Sequence, residues 1–358
     1  MLHLIQYLSI IYLLKKVSRR SFIPSLGALL VLPTMTSFQK NSDEISVPLY
    51  PKGLKNGATI GLCAPAGPSH DLTEIDHFKK FLIDKGFNVK EGKYIRKHLG
   101  YFTSTDVQRT EEFMELIEDS SVDAIFFTRG GWGCARILPM LDFNAIHKNP
   151  KIILGFSDIT AFLVAITHKT GLITFHGPNG NASWGEFSWK SIENTIVLGD
   201  CSLMVNEDPL RYPSPPVCIR PGVARGELYG GNLSVLTGLL GTTYLPDWKG
   251  KILFLEEVKE EPYRIDRMLT QWKLNGVFED LEGVVLGQFR KCIPEEPEWS
   301  FTLDEVLIQH FKDAPFPVFS GFLCGHITDK YTLPIGQTVE MNASQFSITP
   351  LGASVKFL

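Results

Sequence analysis

The stretch KIILGFSDITAFLVAITHK, residues 151–169, sets the reading of the whole chain. Lys151–Gly155 is a short, continuous apolar run, the pattern of a strand buried on both faces of a parallel sheet. Gly155-Phe156-Ser157-Asp158 then turns, and Ile159–Lys169 continues as a helix. A strand feeding a helix in this way is half of a βαβ unit. In an open α/β sheet, ligands gather at the carboxyl ends of the strands, where Ser157 stands. Its hydroxyl would rise above the sheet beside N–H groups at the positive end of a helix. The arrangement approaches a nucleophile elbow, although G-x-S-x-G would need glycine at position 159 and the chain has Ile159. The plainer alternative is that Ser157 or Asp158 caps the helix.

Outward from this unit the same rhythm repeats. Strands are expected at Ala58–Cys63, Asn88–Lys93, Asp123–Thr128 and Leu172–Phe175. Helices are expected over Asp71–Lys85, stopped by Gly86, over about Ser104–Glu118, and over Arg136–Leu141. Alternation of this kind implies a doubly wound parallel sheet, Rossmann- or flavodoxin-like, over residues 50–185. Residues 180–225 break the pattern with Pro209, Pro213, Pro215, Pro216 and Pro221 and with Trp184 and Trp189, so 186–225 reads as a linker or lid. Residues 226–358 form a mixed, β-rich second domain. Its expected helices are Asn232–Leu240, Tyr263–Leu274 and Leu303–Phe311; its expected strands include Lys251–Leu255, Gly283–Gly287, Pro317–Phe322, Thr338–Met341, Phe346–Thr349 and Ser354–Phe357. The fold class is therefore α/β in two domains, the number that 358 residues suggest.

Bulk composition narrows the function. Hydrophobic residues at 44% and charged residues at 21% are ordinary for a globular protein, and a net charge of −4 with no basic face argues against a nucleic-acid partner. Six scattered cysteines without a C-x-x-C pair, and no H-E-x-x-H, leave no zinc motif, so a structural zinc site is not expected. The cysteines in apolar runs read as small core residues.

The amino terminus has its own signature. Ser18-Arg19-Arg20-Ser21-Phe22-Ile23 precedes the apolar run Leu26–Leu32, which reads as a twin-arginine export leader over residues 1–45, cleaved between about Thr34 and Ser46. Residues 2–14 are a second apolar stretch, too short at 13 residues for the ~20 of a membrane helix. An uncleaved anchor is the alternative. The expected destination is the periplasm.

Three further strand ends carry chemistry. Thr128-Arg129-Gly130-Gly131-Trp132-Gly133 follows the Asp123–Phe127 run, where paired glycines admit close approach to backbone N–H groups. A dinucleotide reading fails because Arg136 occupies the third glycine position. The loop is either a plain turn or an oxyanion donor. Leu253-Phe254-Leu255 runs into Glu256 and Glu257, which could be solvated strand ends or could orient a histidine. Gly321-Phe322-Leu323-Cys324-Gly325-His326 is a further apolar strand ending in Gly-His.

Taken together, these blocks resemble the LD-carboxypeptidases, serine peptidases that include murein tetrapeptide carboxypeptidases and microcin C immunity peptidases. The resemblance spans roughly residues 50–355. It is carried by Ile60–Ala66, Arg129–Gly133, Gly155–Ala161, His176-Gly177-Pro178, Gly230–Ser234, Leu255-Glu256-Glu257, Pro262–Arg267 and Gly325-His326. It implies a triad with Ser157 as nucleophile, His326 as base and Glu256 as the group orienting the imidazole. It also implies an oxyanion hole of the Gly131 and Asp158 N–H groups, chemistry that needs no metal or cofactor, and, by analogy, a homodimer. Glu256 aligns with the family's glutamate, and neighbours on a strand point to opposite faces. The implied substrate is a cell-wall peptide losing its terminal D-alanine. A peptidyl-nucleotide is the alternative, with Trp184 or Trp189 stacking on the base if not packed as core or lid. An exported ligand-binding protein is the reading from another class.

Overall fold

The computed structural model describes residues 47–205 and 214–357, so the leader, Pro209 and Pro213 lie outside the described residues. Among the described residues no helix is long and apolar enough to cross a membrane.

The first sheet is built from β1 (Thr59–Cys63), β2 (Asn88–Glu91), β3 (Ala124–Phe127), β4 (Ile152–Gly155) and β5 (Thr174–His176). Its helices are α1 (Thr73–Asp84), α2 (Asp106–Glu118), α3 (Cys134–Ile137), α4 (Phe143–Lys148) and α5 (Thr160–Thr170), with α6 (Glu186–Ile192) following β5. These five strands run parallel in the order β5-β4-β3-β1-β2. β3 and β4 are buried at every residue, as continuous apolar runs flanked by helices on both faces require. α2 starts at a capping box in which Thr105 and Gln108 satisfy each other's backbone N–H groups.

The second sheet contains β6 (Met204–Val205), β7 (Val217–Arg220), β8 (Val223–Asn232), β9 (Lys251–Val258), β10 (Gly283–Arg290) and β11 (Val318–Ser320). β13 (Thr338–Asn342) and β14 (Ser347–Pro350) complete it, while β12 (Leu333–Ile335) lies before them in the chain. Its helices are α7 (Leu233–Thr237), α8 (Pro262–Leu274) and α9 (Leu303–Phe311). The strand order is β6-β14-β13-β8-β9-β10-β11-β7, parallel from β8 through β11 and antiparallel elsewhere. This mixed sheet and the parallel first sheet match the expected fold class.

Several local expectations are corrected. β12 leaves the second half of the chain and pairs antiparallel with β5, Leu333 opposite His176, so it closes the edge of the first sheet. Hydrophobic pattern does not mark β8, because its glycines dilute the apolar run. Those glycines serve close packing: a Cβ on Gly230, whose φ is +154°, would lie 2.6 Å from the Phe254 ring on β9. β9 runs on to Val258, which puts Glu256 and Glu257 inside a buried strand rather than at a solvated end. Ser354–Phe357 forms no strand, only a single bridge from Lys356 to Lys52. All six cysteines are free, and Cys63, Cys134, Cys292 and Cys324 are buried.

Helix α5 joins the two halves. Nine of its residues are buried, because one side packs on the first sheet and the other meets β8. Thr160 Oγ1 accepts the Asn232 N–H at 3.1 Å, tying the start of α5 to the end of β8.

Candidate active site

Ser157 follows β4 with φ at +66°, a region that side-chain-bearing residues seldom enter. Such strain persists only where the surroundings over-determine it. Here the clamp is Asn179, just past the His176-Gly177-Pro178 block. Its Oδ1 accepts the Phe156 N–H and its Nδ2 donates to the Phe156 carbonyl, both at 3.1 Å. The amide thus holds both backbone polar groups of Phe156, the residue before Ser157. No sequence pattern marks Asn179, since a single buried asparagine carries none.

The hydroxyl meets an imidazole and a carboxylate from the far half of the chain. His326 Nε2 lies 3.1 Å from Ser157 Oγ, and His326 Nδ1 lies 2.7 Å from Glu256 Oε2. Glu256 is fully buried. Burial alone would raise its carboxyl, but the charge and hydrogen bond of His326 outweigh that, and it sits below the ordinary carboxylate range. An ionised Glu256 requires the proton on Nδ1, which leaves the Nε2 lone pair facing Ser157.

His326 is held differently from the expected strand tip. β11 ends at Ser320, and the residues before His326 are irregular. The backbone is set by a bridge between Gln288 and Gly325 and by Arg290, whose Nη1 donates to the His326 carbonyl at 3.1 Å. Gly325 is packed so tightly on Glu256 that a Cβ there would stand 2.6 Å from Oε2.

Strand alternation separates the two glutamates. Glu257 accepts from Asn232 Nδ2 at 2.9 Å and from the Ser234 N–H at 2.8 Å, so it serves the first turn of α7. Burial and the Glu256 charge push its carboxyl up.

Gly130 lies directly against Ser157: a Cβ there would come 2.9 Å from Ser157 Cβ and 3.0 Å from Oγ. The Gly130–Gly131 peptide therefore borders the hydroxyl, and Gly131 is exposed to solvent. The Asp158 side chain points the other way, its Oδ2 accepting the Cys134 N–H at 2.9 Å. That bond fastens the start of α3, and hence the glycine loop, to the Ser157 turn. Gly130→Ala is expected to displace the hydroxyl and lower kcat about 10²-fold, the cost of a small misplacement at a reacting centre. Steady-state rates within twofold of wild type would contradict the close approach.

Trp184 and Trp189 pack inward. Trp184 lies 4.8 Å from Phe78 and 5.4 Å from Phe81 between ring centroids, and donates to the Asn179 carbonyl. Trp189 meets Phe81 edge-on at 5.5 Å. Beside Phe156 and Phe254 lies His176, fully buried with its imidazole lowered to about 4 by desolvation and edge-on to Phe254 at 5.1 Å. Among the described residues no three His, Cys, Asp or Glu side chains gather closely enough to hold a metal ion.

Comparison with known proteins follows these boundaries. Residues 60–177 match the LD-carboxypeptidase N-terminal domain and residues 225–341 the LD-carboxypeptidase C-terminal domain. The chain is 39% identical over 298 residues to the probable murein peptide carboxypeptidase of Bacillus subtilis, covering 82% of this chain and 92% of that one. It is 32% identical over 336 residues to the microcin C7 self-immunity protein MccF of Escherichia coli, covering 85% and 96%. Among solved structures, MccF bound to glutamyl sulfamoyl guanosine superposes with a TM-score of 0.78 at 29% identity, covering 86% of this chain and all of that one. Muramoyltetrapeptide carboxypeptidase from Oxalobacter formigenes gives 0.71 at 26% identity, covering 82% and 97%.

Proposed function

This chain belongs to the LD-carboxypeptidase family, and on that premise we propose that it is a serine L,D-carboxypeptidase removing the terminal D-alanine from murein tetrapeptides. One observation carries the reading: the unbroken hydrogen-bond relay from Ser157 through His326 to the buried Glu256.

In this mechanism His326 Nε2 takes the hydroxyl proton as Ser157 Oγ bonds to the scissile carbonyl carbon. The N–H groups of Gly131 and Asp158 hold the resulting oxyanion, a donor of this kind being worth ~2.7–4 kcal/mol. The tetrahedral intermediate collapses, the C–N bond breaks, and His326 returns the proton to the departing D-alanine amine. A water molecule, deprotonated by the same nitrogen, then attacks the acyl ester and frees Ser157. Glu256 keeps the proton on Nδ1 throughout and stabilises the imidazolium.

A second reading, cleavage of a peptidyl-nucleotide amide, draws on the similarity to MccF and on the exposed rings of Tyr101 and Trp132. The inward packing of Trp184 and Trp189 argues against their serving as a base platform. Purified protein is expected to release D-alanine from L-Ala-γ-D-Glu-diaminopimelate-D-Ala with kcat/KM at least about tenfold above that for an aminoacyl sulfamoyl nucleoside. The opposite preference would overturn the murein assignment.

A further inference from the structure

The glycine loop beside Ser157 carries a cation that the triad does not use. Arg129 stands at the end of β3, immediately before Gly130, and is half-buried. Its guanidinium makes no hydrogen bond or ion pair with any described residue. The arginines around it are all committed. Arg109 is sealed and bonds to the carbonyls of Pro65 and Gly133 and to Asp106. Arg136 pairs with Asp106 at 2.8 Å, and Arg290 holds the His326 carbonyl. Lys330 is almost wholly buried, its ammonium 5.0 Å from the Phe156 ring centroid.

Arg129 instead lines a cavity of about 620 Å³ together with Pro68, His70, Tyr101, Gly131 and Trp132. No carboxylate borders that cavity. Tyr101 and Trp132, which line it, are 63% and 50% exposed, large values for aromatic rings. A partly desolvated guanidinium with no acceptor is unfavourable until an anion arrives, and its planar fork suits a carboxylate. Gly131 belongs both to this cavity and to the peptide bordering Ser157, so an anion here lies close to a carbonyl under attack. In a C-terminal residue only the amide nitrogen and Cα separate the scissile carbonyl from the terminal carboxylate.

We propose that Arg129 binds the terminal carboxylate of the substrate, with the small departing residue lying against Trp132 and Tyr101, and so makes the enzyme an exopeptidase. This assignment rests on the proposed peptidase activity. An internal peptide bond offers no anion at that point, and the guanidinium would be left desolvated and unpaired, which rejects such substrates.

The test compares a tetrapeptide ending in free D-alanine with the same peptide ending in D-alaninamide, using wild type, Arg129→Met and Arg129→Lys. Wild type should favour the acid by about 10²–10³-fold in kcat/KM, the range expected when one partner of a hydrogen-bonded charge pair is removed. Arg129→Met should lose that preference by falling on the acid alone, and Arg129→Lys should keep part of it. Labelling of Ser157 by a fluorophosphonate at the wild-type rate would show that the variants retain their fold and nucleophile. Retention of the acid-to-amide ratio in Arg129→Met would overturn the assignment while leaving the peptidase reading intact. Failure of wild type to cleave either peptide would overturn both.

Discussion

Ser157→Ala is expected to lower kcat/KM on the murein tetrapeptide by at least about 10⁴-fold, since removing the nucleophile of a comparable triad costs up to ~2 × 10⁶ in kcat. Nothing else in the site can take over its role. The hydroxyl is carried on a strained turn that Asn179 clamps through the N–H and carbonyl of the preceding residue, Phe156, and it lies 3.1 Å from His326 Nε2. Binding and the oxyanion donors survive the substitution, so KM should change little while kcat collapses. A fluorophosphonate should label the wild type and not the variant. Full activity in Ser157→Ala would remove this residue from the mechanism. A protein that binds the peptide tightly, neither cleaving it nor reacting with the probe, would be a ligand-binding protein instead.

Glu256→Gln is expected to lower kcat about 10⁴-fold at neutral pH, as the corresponding carboxylate-to-amide change does in a serine triad. The amide can present N–H to His326 Nδ1, which favours the proton on Nε2 and removes the lone pair that Ser157 needs. The same variant has a pH signature in stability. The Glu256 carboxyl is held below its ordinary value of 4.5, so its ionised form favours the folded state. That contribution is present above pH 4.5 and is lost as the pH falls through the lower, folded value. Glu112, Asp158 and Glu257, whose carboxyls burial pushes up, carry the opposite sign. Comparing the two proteins cancels Glu112 and Asp158 and reports Glu256 together with groups its charge acts on, among them Glu257 and His176. Thermal unfolding should show wild type exceeding Glu256→Gln in Tm at pH 7, with the gap narrowing below pH 4.5. A gap independent of pH would mean that Glu256 is not ionised in the folded protein.

Much of this candidate site is legible in the sequence, for a definable reason. β3 and β4 are fully buried apolar runs, and in a parallel sheet such runs end where the chemistry sits. The Gly130-Gly131 pair and Gly155-Phe156-Ser157-Asp158 could be assigned to those ends from hydrophobic pattern alone. Resemblance to the family distinguishes Glu256 from Glu257, and strand alternation lets only one of them reach His326. What could not be read were features that depend on partners remote in the chain. Asn179 looks like any loop asparagine until its amide is seen closing on Phe156. The freedom of Arg129 is visible only because Arg109 and Arg136 have taken the nearby acceptors.

Hydrophobic periodicity is a local signal. It marked which segments must be buried, where most strands give way to helices, and which residue types stand at those boundaries. It was silent on β12, which crosses from the second half of the chain to close the first sheet, and it misjudged the approach to His326, which is a loop set by Gln288 and Arg290. The relay itself spans 169 positions between Ser157 and His326 and 70 between Glu256 and His326. Bringing such groups within 3.1 Å is a property of how two sheets pack around α5, a global minimum that no window of neighbouring residues encodes.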